Sequence, residues 1–330
     1  MTQELNLSRR QWLAGASVLG AASMMAGAPA LAKAPMLGTQ APYWYRFKLG
    51  NFEGTVVSDG ILPLGKPEDN FTGLSKEEMA KQLSDNFLSM DNAVLEQNAL
   101  VVNTGNQLLL FDTGMGSLNI FGPTTGKLLA NLKSAGIDPK DIDAVVMSHG
   151  HIDHLGGNVA DSGTSNFPNA QFYITQADHD FWTDYGKVPA EFKVFADTAN
   201  KNLKPVRDRI QFIKDGQEVV PGVHAILAPG HTVGHTIFMI ESAGKQLCYI
   251  GDLAHHPVLL LEKPLTEFKY DTDPKQSAQT RVKNLNMFAE KRIPILAYHF
   301  AWPGMGHVVK QGNGFRYLPA PMEMDASKKA

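Results

Sequence analysis

Across 330 residues the chain is 43% hydrophobic and 19% charged, with 30 basic against 33 acidic side chains. This is the balance of a globular protein with a sizeable core; it excludes a disordered chain and offers no basic excess to recruit nucleic acid or anionic lipid. The single cysteine, Cys248, excludes a framework of intrachain disulfides.

The chain opens with Ser8-Arg9-Arg10-Gln11-Trp12-Leu13, an apolar Ala/Gly-rich run to Ala28, and a small-x-small site at Ala30-Leu31-Ala32. That pattern predicts a twin-arginine-type signal peptide over 1–32, and so an exported, periplasmic or secreted protein, with a retained anchor as the alternative. A linker over 33–42, a folded domain over 43–321 and a polar tail over 322–330 follow. Strand-like runs 43–49 and 52–58 flank the turn Gly50-Asn51, and 61–74 reads as a loop. Ser75 with Glu78 is a capping box for a helix to about Leu88. A second hairpin, 99–104 with 107–111, ends in Asp112, read as a supporting carboxylate. A short helix over 127–135, a strand over 142–147 and helices over 176–185 and 191–203 come next. Strands over 210–213, 223–227, 236–240 and 246–250 precede a long helix capped by Asp273-Pro274 and reaching about Lys291. Ile295 to Tyr298 reads as the last strand. Two groups of strands with helices between them suggest two sheets packed face to face.

The chemistry gathers where the 142–147 strand ends, in Ser148-His149-Gly150-His151-Ile152-Asp153-His154. In an extended segment residues i and i+2 share a side, so His149 and His151 can close on one ion. Asp153 and His154 follow as the chain turns and can serve a second. Imidazole with carboxylate suits zinc and its first-row neighbours. Three more metal-capable residues also stand just after apolar runs: His231, Asp252 and His299. Five histidines and two aspartates suffice for two ions of three ligands each with one bridging carboxylate, leaving open positions as in a catalytic site. His235 reads as a neighbour rather than a ligand and His307 as part of a Gly-rich turn. His179 and His224 sit in patterns that allow exposure, and Cys248 reads as a small buried hydrophobe.

With these residues the sequence resembles the metallo-β-lactamase superfamily of binuclear hydrolases over nearly all of its length after the signal. Within it the chain is most similar to the methyl parathion hydrolase group and related exported lactonases, through Ser58-Asp59-Gly60, Phe121-Gly122-Pro123-Thr124, Asp180-Phe181-Trp182, Gly230-His231-Thr232 and Pro303-Gly304-Met305-Gly306-His307. The resemblance implies an α/β fold, the αββα sandwich of two mixed β-sheets with helices on the outer faces. It puts His149, His151 and His231 on a first metal site, Asp153, His154 and His299 on a second, and Asp252 between them. Two divalent ions are implied, zinc foremost, with manganese, cobalt or iron as alternatives.

The activity expected is hydrolysis of a lactone or aryl ester by hydroxide held between the ions, with Asp252 and Asp153 as the catalytic carboxylates. The resemblance places Phe121, Trp182 and Phe195 on an aromatic wall of the substrate pocket. His255, where parathion hydrolases carry an apolar residue, and the bulky Phe268 and Tyr270 favour a planar carbonyl over a phosphotriester. Phosphotriester hydrolysis is the alternative activity. A glyoxalase II-type thioesterase lacks a basic C-terminal recognition patch here, a diiron oxidoreductase lacks its flavin domain, and a cysteine-ligated β-lactamase is disfavoured by Asp252. A non-catalytic binding protein would not need the complete ligand set. The partner expected is a small-molecule substrate, with no nucleic acid and no membrane after signal cleavage, and a homodimer is left open.

Overall fold

The structure, a computed structural model, describes residues 43–322 together with Met36 and Gly38; the expected signal peptide, most of the linker and the tail from residue 323 lie outside the described residues. Strand β1 (Trp44–Leu49) turns back into β2 (Phe52–Pro63) through Gly50 and Asn51. Gly50 has a positive φ of 58°, and the Ser242 backbone sits where a Cβ would go, so the turn admits only glycine. A register shift between Ser58 and Ile61 lets β2 continue beyond the expected end at Ser58. Residues 61–74 are therefore not a plain loop: they hold the end of β2, a turn of 3-10 helix at Pro67–Asp69 and β3 (Phe71–Thr72). Helix α1 (Lys76–Asp85) starts at Ser75 with both halves of the capping box formed.

The first group of strands continues with β4 (Val94–Asn103) and β5 (Leu108–Phe111), helix α2 (Leu128–Ser134), β6 (Ala144–Val146), the short helix α3 (Ile152–Leu155) and β7 (Gln171–Thr175). Helices α4 (Gln176–Trp182) and α5 (Lys193–Leu203) lead to β8 (Ile210–Ile213). The second group is β9 (Glu218–Val220), β10 (Val223–Leu227), β11 (Thr236–Ser242) and β12 (Lys245–Tyr249), then β13 (Glu267–Phe268), helix α6 (Pro274–Lys291) and β14 (Ile295–Leu296). Ile295 to Tyr298 is not the last strand. Only its first two residues pair, and β15 (Met305–Gln311) and β16 (Gly314–Pro319) follow as an edge hairpin. His307 thus lies on a strand, exposed, and the turn falls before it at Gly304.

Two seven-stranded sheets result, ordered β1-β2-β4-β5-β6-β7-β8 and β16-β15-β14-β12-β11-β10-β9, and both mix parallel with antiparallel pairs. Side-chain alternation along the second sheet divides the core. Leu247, Tyr249, Leu296 and Tyr298 join the apolar cluster of the first sheet, while Cys248, Ile250, Ile295 and Ala297 pack with Leu285 and Phe288 of α6 on the other face. Two mixed sheets against each other with helices outside form the expected α/β sandwich. No helix among the described residues is long and apolar enough to cross a membrane.

Candidate metal centre

Every expected ligand sits just beyond a strand end, where the backbone leaves the sheet and side chains of both sheets can meet. β6 delivers His149; His151, still extended at φ −76° and ψ 160°, is the residue before α3, and Asp153 and His154 occupy that helix. His231 follows β10, Asp252 follows β12 and His299 follows β14. The structure brings all seven together, buried, in groups whose ligand atoms lie within 4.8 Å of one another: His149, His151, His231 and Asp252 in one, Asp153, His154 and His299 in another. Asp252 joins them, its Oδ2 lying 3.2 Å from His231 Nε2 and 3.3 Å from His299 Nε2, its Oδ1 3.1 Å from His154 Nε2.

The outer nitrogens are tied down from behind. His154 Nδ1 lies 2.8 Å from Asp112 Oδ2, His231 Nδ1 2.8 Å from Asp271 Oδ1, His299 Nδ1 2.7 Å from the Glu96 carbonyl and His149 Nδ1 2.9 Å from Ser148 Oγ. An imidazole that donates Nδ1–H outward turns its Nε2 lone pair inward, the arrangement that supports metal ligation. Asp112, the expected supporting carboxylate, also accepts from Ser148 and from the Tyr249 hydroxyl. Asp271, Glu96 and Tyr298, whose hydroxyl donates to the Asp153 carbonyl, were not anticipated from sequence.

These residues fit two cations. His149 Nε2 and His231 Nε2 face each other at 3.1 Å, and the buried His154 Nε2 and Asp252 Oδ1 have no hydrogen-bond partner among the described residues. Converging lone pairs and an orphaned carboxylate oxygen are costly unless positive charge lies between them. The electrostatics express the same demand. Burial and the neighbouring imidazoles hold His149 and His151 well below the ordinary histidine value. Burial opposes ionisation of Asp252, yet His154, His299 and His255 keep its carboxyl well below the usual carboxylate range.

A narrow cavity opens over the ligands, with a volume of about 30 Å³, walled by Phe121, Phe195, Phe268 and Tyr270 with Leu62, Leu64 and Leu95. Phe121 and Phe195 are among the residues lining this cavity. Trp182 does not: it lies outside the cavity lining, buried behind His151, because the α4 turn that carries it packs over Gly150. His255 points in and lies 2.9 Å from Asp252 Oδ2, with Phe268 stacked on its ring at 4.0 Å. His256 points away, its Nδ1 accepting from the Val258 and Leu259 amides. His235 is a neighbour rather than a member of either ligand group, accepting from the Asp252 amide.

The fold and this cluster define a class. Residues 93–296 match the family described as the metallo-beta-lactamase superfamily, and the chain belongs to it. It is 27% identical over 193 residues to an N-acyl homoserine lactonase of Bacillus cereus, an alignment covering 58% of this chain and 66% of the relative. It is also 27% identical over 187 residues to the N-acyl homoserine lactonase AttM of Agrobacterium fabrum, covering 53% of this chain and 65% of the relative. The chain thus spans just under two thirds of these curated relatives. Among solved structures it is similar to AidC, a dizinc quorum-quenching lactonase in complex with a product, N-hexanoyl-L-homoserine: TM-score 0.80, 30% identity, 86% of this chain and 100% of that one. The hydrolase AbOPH of the beta lactamase superfamily is similar at TM-score 0.80 and 28% identity, again over 86% and 100%.

Proposed function

We propose that this protein is a hydrolase dependent on two divalent metal ions that opens lactones or cleaves aryl esters, and that zinc is the resident metal. The observation that carries the reading is the pair of ligand groups joined by Asp252 at the floor of an apolar cavity. His149, His151 and His231 would hold one ion, Asp153, His154 and His299 the other. Bound there, the ions supply water activation at neutral pH and Lewis-acid polarisation of the substrate carbonyl.

The chain's own residues do the rest. Asp153, whose carboxylate is 10% exposed and lines the cavity, accepts the proton of the attacking water and returns it to the leaving oxygen. Asp252 fixes the spacing of the two groups. The narrow, aromatic cavity favours a thin, planar acyl group over a phosphorus centre with three large substituents. His255 borders that space, where it can hydrogen-bond an ester oxygen. The names of the similar lactonases support the same substrate class. Residues 1–32 are proposed to direct export, which the mass of the mature N-terminus from the native host tests.

Protein purified without chelator and offered zinc, manganese or cobalt should carry two ions per chain by elemental analysis. In a screen of N-acyl homoserine lactones, aryl esters, phosphotriesters and β-lactams, the first two classes should turn over fastest. One ion or none, or a clear preference for phosphotriesters, overturns the reading.

A further inference from the structure

Four of the five histidines in the two ligand groups are anchored through their outer nitrogen. His151 is the exception: its ring makes no hydrogen bond among the described residues, and it packs against a pair of touching aromatic rings, Trp182 at 4.7 Å and Phe195 at 5.0 Å, both edge to face. Trp182 is buried and its indole N–H has no partner among the described residues, so no side-chain hydrogen bond there holds it in place. The spacer Gly150 is glycine for the same reason, since a Cβ there would fall onto the Trp182 ring.

One turn earlier on the same helix face stands Asp178, fully buried. Its Oδ2 accepts from the Gly150 amide at 2.7 Å and the Thr232 hydroxyl at 2.9 Å, and its Oδ1 from the Gly234 amide at 2.7 Å. One carboxylate therefore ties the loop carrying His149 and His151 to the loop carrying His231. The second ligand group has no such dependence on α4: His154 is anchored by Asp112 and His299 by the Glu96 carbonyl.

We propose that α4 is a clamp on one half of the metal centre, with Trp182 a positioning residue that aims the His151 ring by packing alone. This rests on the reading that the cluster binds two ions. An imidazole lacking an outer acceptor is a less basic and less firmly aimed ligand, so the ion held by His149, His151 and His231 is the one that a change at α4 releases.

The test is titration of metal-free, full-length protein with cobalt(II), reading bound ions and visible absorption. The variants His151→Ala and His299→Ala supply the spectrum of each half emptied. Trp182→Leu should weaken one of the two ions by about 10- to 100-fold, leaving a spectrum that matches His151→Ala. Trp182→Phe, which restores a ring, should bind both ions as the wild type does. Trp182→Met, flexible and of similar reach, replaces the leucine variant should that one not fold. Wild-type affinity for both ions in the leucine or methionine variant, a loss matching His299→Ala, or an equal loss in Trp182→Phe overturns the clamp. Fewer than two ions in the wild type would instead remove the binuclear reading, and the clamp with it.

Discussion

Asp252 meets three imidazoles on one oxygen, with Nε2 of His231, His255 and His299 at 3.2, 2.9 and 3.3 Å from Oδ2. Replacing it with Ala removes the carboxylate shared by both groups and should lower kcat/KM by about 100-fold or more, as for loss of a major electrostatic stabiliser, with fewer than two ions bound. His235 differs. Burial and the neighbouring His231 charge press it down to about 3, so it stays neutral, its ring pinned between the Ala228 carbonyl and the Asp252 amide. His235→Ala leaves that amide unpaired and should cost about 1–3 kcal/mol of stability while both ions are retained; equal effects of the two changes on metal content would contradict the assignment. His255 bears on specificity. With Phe268 stacked on it, His255→Leu should shift the ratio of lactone to phosphotriester kcat/KM about 10-fold toward the phosphotriester, about 1.4 kcal/mol, and an unchanged ratio excludes it from substrate selection. The seven cluster residues stand out in the sequence because four gather within six residues after one apolar run and the other three each come just after another. Their anchors were not: Glu96 acts through its carbonyl, which any residue could supply, and Asp271 is one carboxylate in Asp271-Thr272-Asp273 with no local mark of burial. Trp182 was misplaced because an aromatic near a site looks the same in sequence whether it walls the cavity or backs a ligand.

Among the elements, those with a cap were the most legible. Ser75 and Asp273 each accept a backbone N–H at the start of α1 and α6, as their spacing predicts, and Thr175 does the same for α4. The β15–β16 hairpin is faint in the sequence because its strands lie at a sheet edge with few buried positions. Gly312-Asn313 between Val308-Val309 and Phe315 was the available signal. Helix α6 contributes more than its cap. Its Arg281 is fully buried, donating to the carbonyls of Leu253, Pro264 and Thr266, and its Nη2 lies 3.8 Å from Asp271 Oδ2. It thereby adds positive charge beside Asp271, whose main partner is the His231 ring. Arg281→Met leaves the buried carbonyls of Leu253, Pro264 and Thr266 without their donor, with Asp271 still paired to His231, and should cost about 3–5 kcal/mol. Urea unfolding measures it, and a loss under about 1 kcal/mol would show that those carbonyls find other donors.

At the scale of the whole molecule, metal and proton compete for the same lone pairs. In the metal-free protein burial disfavours the charged form of His231, but hydrogen bonds with Asp252 and Asp271 outweigh it and raise the ring from 6.5 to about 9. That proton stabilises the metal-free fold fully below about pH 6.5, and its contribution disappears as pH rises through about 9. His154, raised by Asp252, Asp153 and Asp112 against its burial, acts in the same direction. His235 and His255, both lowered to about 3, exert their effect only below their ordinary value of 6.5 and are silent in this window. Saturating zinc should therefore raise the melting temperature more at pH 9 than at pH 6.5, because fewer protons must leave; scanning calorimetry with and without chelator decides it, and the reverse order would contradict the assignment. Cys248 gives this molecule one further property. Its strand, β12, pairs with β11 on one side and β14 on the other, and the sulfur is fully buried, with its thiol pushed up by burial. A thiol reagent can reach it only after those strands part, and the chain has no other cysteine to blur the signal. With reagent concentrated enough to outpace reclosing, modification of the native protein should accordingly proceed at the rate of opening and quicken with urea in step with unfolding, so that the chain carries its own clock for the lifetime of the folded state.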